Sequence, residues 1–137
     1  MRTVRNISLV VAIALLFTGC QTIKQKDMQD TLSRVLHNYE LTTRWGKLSQ
    51  VYSFLTPELA AQAKIQDNLN NVRVTSYEVV QRPASIASNS DEEVMQSVHI
   101  RYIYSDRQVE KDLIDHQQWK YNEDKREWRR NNPIPSF

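Results

Sequence analysis

The side chains able to do chemistry are few enough to weigh one at a time. The 137 residues hold one cysteine, Cys20, and three histidines, His37, His99 and His116. A single thiol excludes an internal disulfide and a thiolate zinc cluster. Among the carboxylates, Asp115 is the sharpest candidate for a general base. Alternation along its segment places it on one face with Tyr102 and Trp119, where Tyr102 would donate to an oxyanion. The competing reading pairs Asp115 with Lys111 or Arg130 on that same face, or leaves it in water near the open end of the sheet. His99 and His116 would be diagonal neighbours on the opposite face, close enough to share a metal ion. No third ligand is evident and no HExxH spacing occurs, so two surface histidines without metal are expected. His37 falls near the hydrophilic side of a helix.

Further chemistries are excluded by composition. Gly19 and Gly46 are the only glycines, too few for a loop that cradles phosphate, and no cofactor is expected. The run LysArgGluTrpArgArg, residues 125–130, sets four basic side chains around Trp128. It reads either as a solvated face or as a contact for lipid phosphate, an acidic partner or cell-wall material.

Behind these residues stand the elements that must position them. Met28, Leu32, Val35, Leu36 and Tyr39 recur at helical spacing and predict an amphipathic helix ending near Trp45, with Gly46 as its stop. Leu48, Val51, Tyr52 and Leu55 line one side of a second, shorter stretch. Thr56-Pro57 then starts a third helix through ProGluLeuAlaAlaGlnAlaLysIle, with a capping hydroxyl before a first-turn proline. After Asn71 the period changes to two, predicting strands at 72–82, 94–105, 108–121 and 126–130 and a polar loop at 83–93.

A two-residue turn at Asp106-Arg107 would set Arg101 opposite Asp112, Ile100 opposite Leu113 and Tyr104 opposite Val109. A four-residue turn at Asn122 to Lys125 would set Trp119 opposite Trp128 and Lys120 opposite Glu127. One face then carries Val94, Val98, Ile100, Tyr102, Tyr104, Leu113, Trp119, Tyr121 and Trp128, and should meet the helices. His99, Arg101, Asp112, His116, Lys120 and Glu127 take the other. The closing AsnAsnProIleProSerPhe should be extended, because its prolines exclude regular structure.

Cys20 lies in LLFTGCQTIKQK. Ahead of it, Arg2 and Arg5 precede the apolar run ISLVVAIALLF, residues 7–17. Eleven residues suit the core of a signal peptide, whereas a spanning helix needs about 20. Phe17-Thr18-Gly19-Cys20 resembles the lipobox of bacterial lipoproteins, with Phe17 standing where that family more often has Leu. The resemblance implies cleavage after Gly19, a lipidated Cys20 and anchoring to a membrane without a spanning helix. Gln21, rather than Asp, implies the outer membrane facing the periplasm.

Such cleavage divides the chain into a leader at 1–19, a lipidated cysteine and tether at 20–27, and one domain at 28–137. Eighteen basic residues less Arg2 and Arg5 leave 16 against 16 acidic residues. That neutral balance is unlike a nucleic-acid binder. Helices first and a Trp-bearing antiparallel sheet afterwards predict an α+β fold. The order resembles the NTF2-like or cystatin-like roll, N-terminal helices on a curved four-stranded antiparallel sheet.

The expected function is a noncatalytic binding or assembly module, anchored through Cys20, for an envelope protein or cell-wall component. A homodimer stays open. The alternative is a small NTF2-like pocket enzyme, of isomerase, dehydratase or hydrolase type, using Asp115 and Tyr102. An enzyme should have an enclosed cavity with Asp115 facing into it; a scaffold should have a filled core and an exposed apolar patch.

Overall fold

The computed structural model describes residues 2–86 and 92–137, with side chains from residue 22 onward. Cys20, the lipobox and the leader expected at 1–19 lie outside the residues with described side chains, and residues 87–91 of the loop expected at 83–93 are not described. Helix α1 spans Arg2–Trp45. Among the described residues no helix is long and apolar enough to cross a membrane.

Met28, Leu32, Tyr39 and Thr43 form a buried stripe along α1, with Val35 and Leu36 partly buried beside it. This is the helical spacing read from the sequence, and each fully buried large apolar side chain contributes about 1.5–3 kcal/mol. The helix ends at Trp45 as expected, and the Gly46 N–H closes its last turn by donating to Thr42 O at 3.0 Å. Its start differs from the expected Met28. Residues 22–27 continue the helix, held by Lys24 pairing with Glu123 and Asp27 with Arg126 at 2.8 Å. This part of the tether expected at 20–27 therefore advances ~1.5 Å per residue, short of the ~3.3 Å of a fully extended chain.

A 3₁₀ segment, Leu48–Phe54, follows and buries Leu48 and Val51. Helix α2, Pro57–Gln62, begins at the expected proline but without the expected cap, since the buried Thr56 hydroxyl makes no hydrogen bond, and it stops before Ile65. A short 3₁₀ turn at Leu69–Asn71 leads into the sheet. Its strands are β1 (Val72–Gln81), β2 (Glu93–Tyr104), β3 (Glu110–Asn122) and β4 (Glu127–Arg130). They form an open antiparallel sheet in the order β1-β2-β3-β4, so the protein is α+β.

The first hairpin has the register read from the sequence, with Arg101 opposite Asp112 and Ile100 opposite Leu113. The ladder stops at Ile103 and Glu110, one pair short of the expected Tyr104 and Val109. Asp-Arg is a poor two-residue turn. The chain instead widens, with Gln108 in the left-handed region at φ 50° and its N–H on Tyr104 O at 2.7 Å.

The second hairpin corrects the expectation by two residues. Tyr121, not Trp119, faces Trp128, and Arg129, not Glu127, faces Lys120. The loop occupies 123–126 because the Asn122 side chain accepts the Lys125 N–H at 2.9 Å and Arg126 takes φ 52°. Tyr121 and Trp128 pack with ring centroids 5.2 Å apart.

A two-residue slip preserves side-chain parity, so the two faces stand as read. Val94, Val98, Ile100, Tyr102, Trp119, Tyr121 and Trp128 are buried, whereas Arg101, Asp112, His116 and Lys120 are exposed. At the centre, Tyr39 and Trp119 meet edge to face at 5.4 Å, and Phe54 closes the triad at 5.3 Å from Tyr39. Such edge-to-face contacts stabilise beyond the area they bury.

Candidate functional site

Period-two alternation turns Asp115, Gln117 and Trp119 of β3 inward together, and Gln96 of β2 with them. Two of these four are amides and one a carboxylate, so the inner face carries a buried polar network. Its anchor is Arg130, which is 0% exposed and lies at the end of β4.

The guanidinium uses all its N–H groups. Nη1 donates to Asp115 Oδ2 at 2.8 Å and to the Tyr39 hydroxyl at 2.7 Å. Nη2 donates to Asp115 Oδ1 at 2.6 Å and to Pro133 O at 2.9 Å. Nε donates to Asn132 O at 3.2 Å. Burial opposes the charge on Arg130, but hydrogen bonding to Asp115 and the neighbouring phenols outweigh it and raise its pKa above the ordinary value.

Gln117 saturates the rest. Its amide nitrogen donates to Asp115 Oδ2 and to the Tyr77 hydroxyl, both at 3.0 Å. Its amide oxygen accepts from Trp119 Nε1 at 3.2 Å and Gln96 Nε2 at 3.3 Å. Burial pushes the phenols of Tyr39 and Tyr77 well above their usual range. Through Gln96 and Tyr77 the network reaches a cleft of about 400 Å³ between α1 and β1, where His37 and Glu40 also stand.

Both oxygens of Asp115 are engaged by one cation, and one of them by an amide as well. Charge pairing with Arg130, the competing reading of this carboxylate, describes its surroundings. Tyr102 shares the inner face but belongs to another cluster, its ring edge-on to Tyr104 at 5.8 Å and to Phe137 at 5.4 Å. Burial and the adjacent Tyr104 raise its pKa. None of the bonds that hold Asp115 involves Tyr102.

His99 and His116 are diagonal neighbours on the outer face, since Ile114 lies opposite His99 and Ser97 opposite His116. Each has its own partner. His99 Nε2 contacts Asp112 Oδ2 at 2.8 Å, and His116 Nδ1 contacts Ser97 Oγ at 2.9 Å. Among the described residues no group of three or more His, Cys, Asp or Glu is placed to hold a metal.

The run at 125–130 is neither a single solvated face nor a uniform basic patch. Arg130 is internal, and Trp128 is buried with Nε1 donating to Met28 O at 3.0 Å. Arg126 pairs with Asp27, and Arg129 with Glu127 at 3.1 Å and Ser53 O at 2.6 Å. Alternation along β4 sorts the run, an outcome its composition hides.

Gln96 and Gln117 escaped the sequence reading, although both sit at inward positions of period-two segments. That periodicity was the available signal, and the polarity of the amides masked it.

Fold and site together define a small α+β domain whose inner sheet face holds a buried arginine–aspartate pair. No family model, curated protein or solved structure matches the chain.

Proposed function

We propose that this protein is a bacterial envelope lipoprotein, anchored through lipidated Cys20, whose NTF2-like or cystatin-like domain binds an envelope partner without catalysing a reaction. The observation that carries the noncatalytic part is Asp115, 2% exposed and held by both terminal nitrogens of Arg130. A general base must present a lone pair to substrate, and this carboxylate presents its oxygens to Arg130 and Gln117. The interior is filled by Tyr39, Phe54 and Trp119, as suits a scaffold. The anchoring part is supported by the leader and lipobox sequence ahead of a neutral domain. Two acyl chains or more make such attachment durable, since each buried methylene adds about 0.8 kcal/mol.

Labelled palmitate should enter the wild-type chain in bacterial cells and be lost in Cys20→Ser; equal labelling of both would overturn the anchor. Affinity-tagged protein, mildly crosslinked in the envelope, should retain a partner, and recovery of the tagged chain alone would overturn the binding role.

A further inference from the structure

Residues 131–137 are held against the domain the way a bound peptide is held. Gln66 reads their backbone with both ends of its amide. Nε2 donates to Pro135 O at 2.9 Å, and Oε1 accepts the Phe137 N–H at 3.0 Å. The Tyr52 hydroxyl accepts from the same Nε2 at 3.1 Å, which fixes the amide's orientation. This clamp takes an N–H and a C=O two residues apart, so it recognises extended backbone whatever side chain stands between.

Side-chain selection is separate. Ile134 and Phe137 pack against the core, and Phe137 meets Tyr102 edge to face, while Ser136 between them is exposed. Pro133 and Pro135 pre-set φ, reducing the entropy lost on docking. These are the elements of proline-rich peptide recognition: a stiff extended segment, a backbone clamp and side chains docked three residues apart, the repeat of a polyproline II helix.

Two observations make the contact exchangeable. A cleft of about 380 Å³ remains between the segment and α2, lined by Leu55, Leu59, Ala63 and Ile134, so the groove is not filled. The fastening to Arg130, Asn132 and the β3 backbone ends at Pro133. Residues 134–137 can therefore leave without opening the buried network.

We propose that the groove bounded by Gln66, Tyr52 and Tyr102 is a peptide-recognition site, occupied in cis by Ile134–Phe137 and in trans by the same segment of a second copy of this chain. A second copy is the occupant because the segment that fits the clamp, prolines and pockets is this chain's own. The inference does not depend on the lipid anchor or the absence of catalysis.

The test uses the full chain and a fluorescent peptide, AsnAsnProIleProSerPhe. In the wild type the tethered segment competes at high effective concentration. The doubly substituted chain Ile134→Ala/Phe137→Ala, checked as folded by its melting transition, should bind the peptide roughly tenfold more tightly than wild type. Adding Gln66→Ala should reverse that gain. Wild-type chain should also form a dimer at rising concentration, which excess peptide dissociates. That second measurement stands if the double substitution does not fold. A folded double variant that ignores the peptide, or wild-type chain monomeric at every concentration, would overturn the proposal.

Discussion

Arg130 clasps Asp115 across fifteen residues of sequence, two nitrogens to two oxygens, with Gln117 bracing the same carboxylate from within its own strand. The geometry is bidentate, which makes the pair directional as well as charged.

Removing one partner leaves the other buried and unpaired, at a cost of about 3–5 kcal/mol. Asp115→Leu and Arg130→Met should each lower stability by that amount in urea unfolding. The double substitution Asp115→Leu/Arg130→Met should cost less than the two single losses added, because neither charge is stranded. Simple additivity would contradict a coupled pair.

Alkaline pH should weaken the fold. Tyr39 and Tyr77 keep their protons in the folded state above the ordinary tyrosine value of 10.0. The unfolded chain releases them there, so it binds fewer protons and stability falls as pH rises beyond 10, by up to ~1.4 kcal/mol per unit for each phenol. Below pH 10 their contribution is fully present. Chemical unfolding between pH 9 and 11 should show this slope, and Tyr77→Phe should flatten it.

Gly46 ends α1 in a space with no room for a side chain. A Cβ there would stand 2.8 Å from Thr42 O, a backbone atom, and 3.1 Å from Gln50 Oε1. Gly46→Ala should lower stability by roughly 1–3 kcal/mol despite alanine's better helix propensity. A raised melting temperature would refute the crowding argument.

The register of the last hairpin can be measured through its rings. A double-mutant cycle on Tyr121→Leu and Trp128→Leu should give a coupling of about 0.5–1.5 kcal/mol. The corresponding cycle on Trp119 and Trp128 should give less. The reverse order would restore the register that places the tryptophans opposite each other.

Much of this architecture was legible because periodicity survives translation along the chain. The buried stripe of α1 and the alternate faces of β2 and β3 follow from spacing alone. The second hairpin was misread because either Trp119 or Tyr121 satisfies an aromatic pairing with Trp128, and the two registers share a parity. Local loop geometry at Asn122 and Arg126 decides between them, and that is not a pattern of hydrophobicity. Residues 22–27 read as a polar tether because their partners Glu123 and Arg126 lie about a hundred positions away. At the site, the sequence names Arg130 as a partner for Asp115, but an amide at an inward strand position carries no hydrophobic signal, so Gln96 and Gln117 go unmarked.

The bond between Arg130 and Tyr39 spans 91 residues. Closing so long a loop carries an entropic cost that only late, non-local contacts offset. During synthesis, α1 is present long before the residue that completes its environment. The domain thus has no finished interior until its last strand has emerged, and it should stay protease-sensitive in every shorter nascent chain.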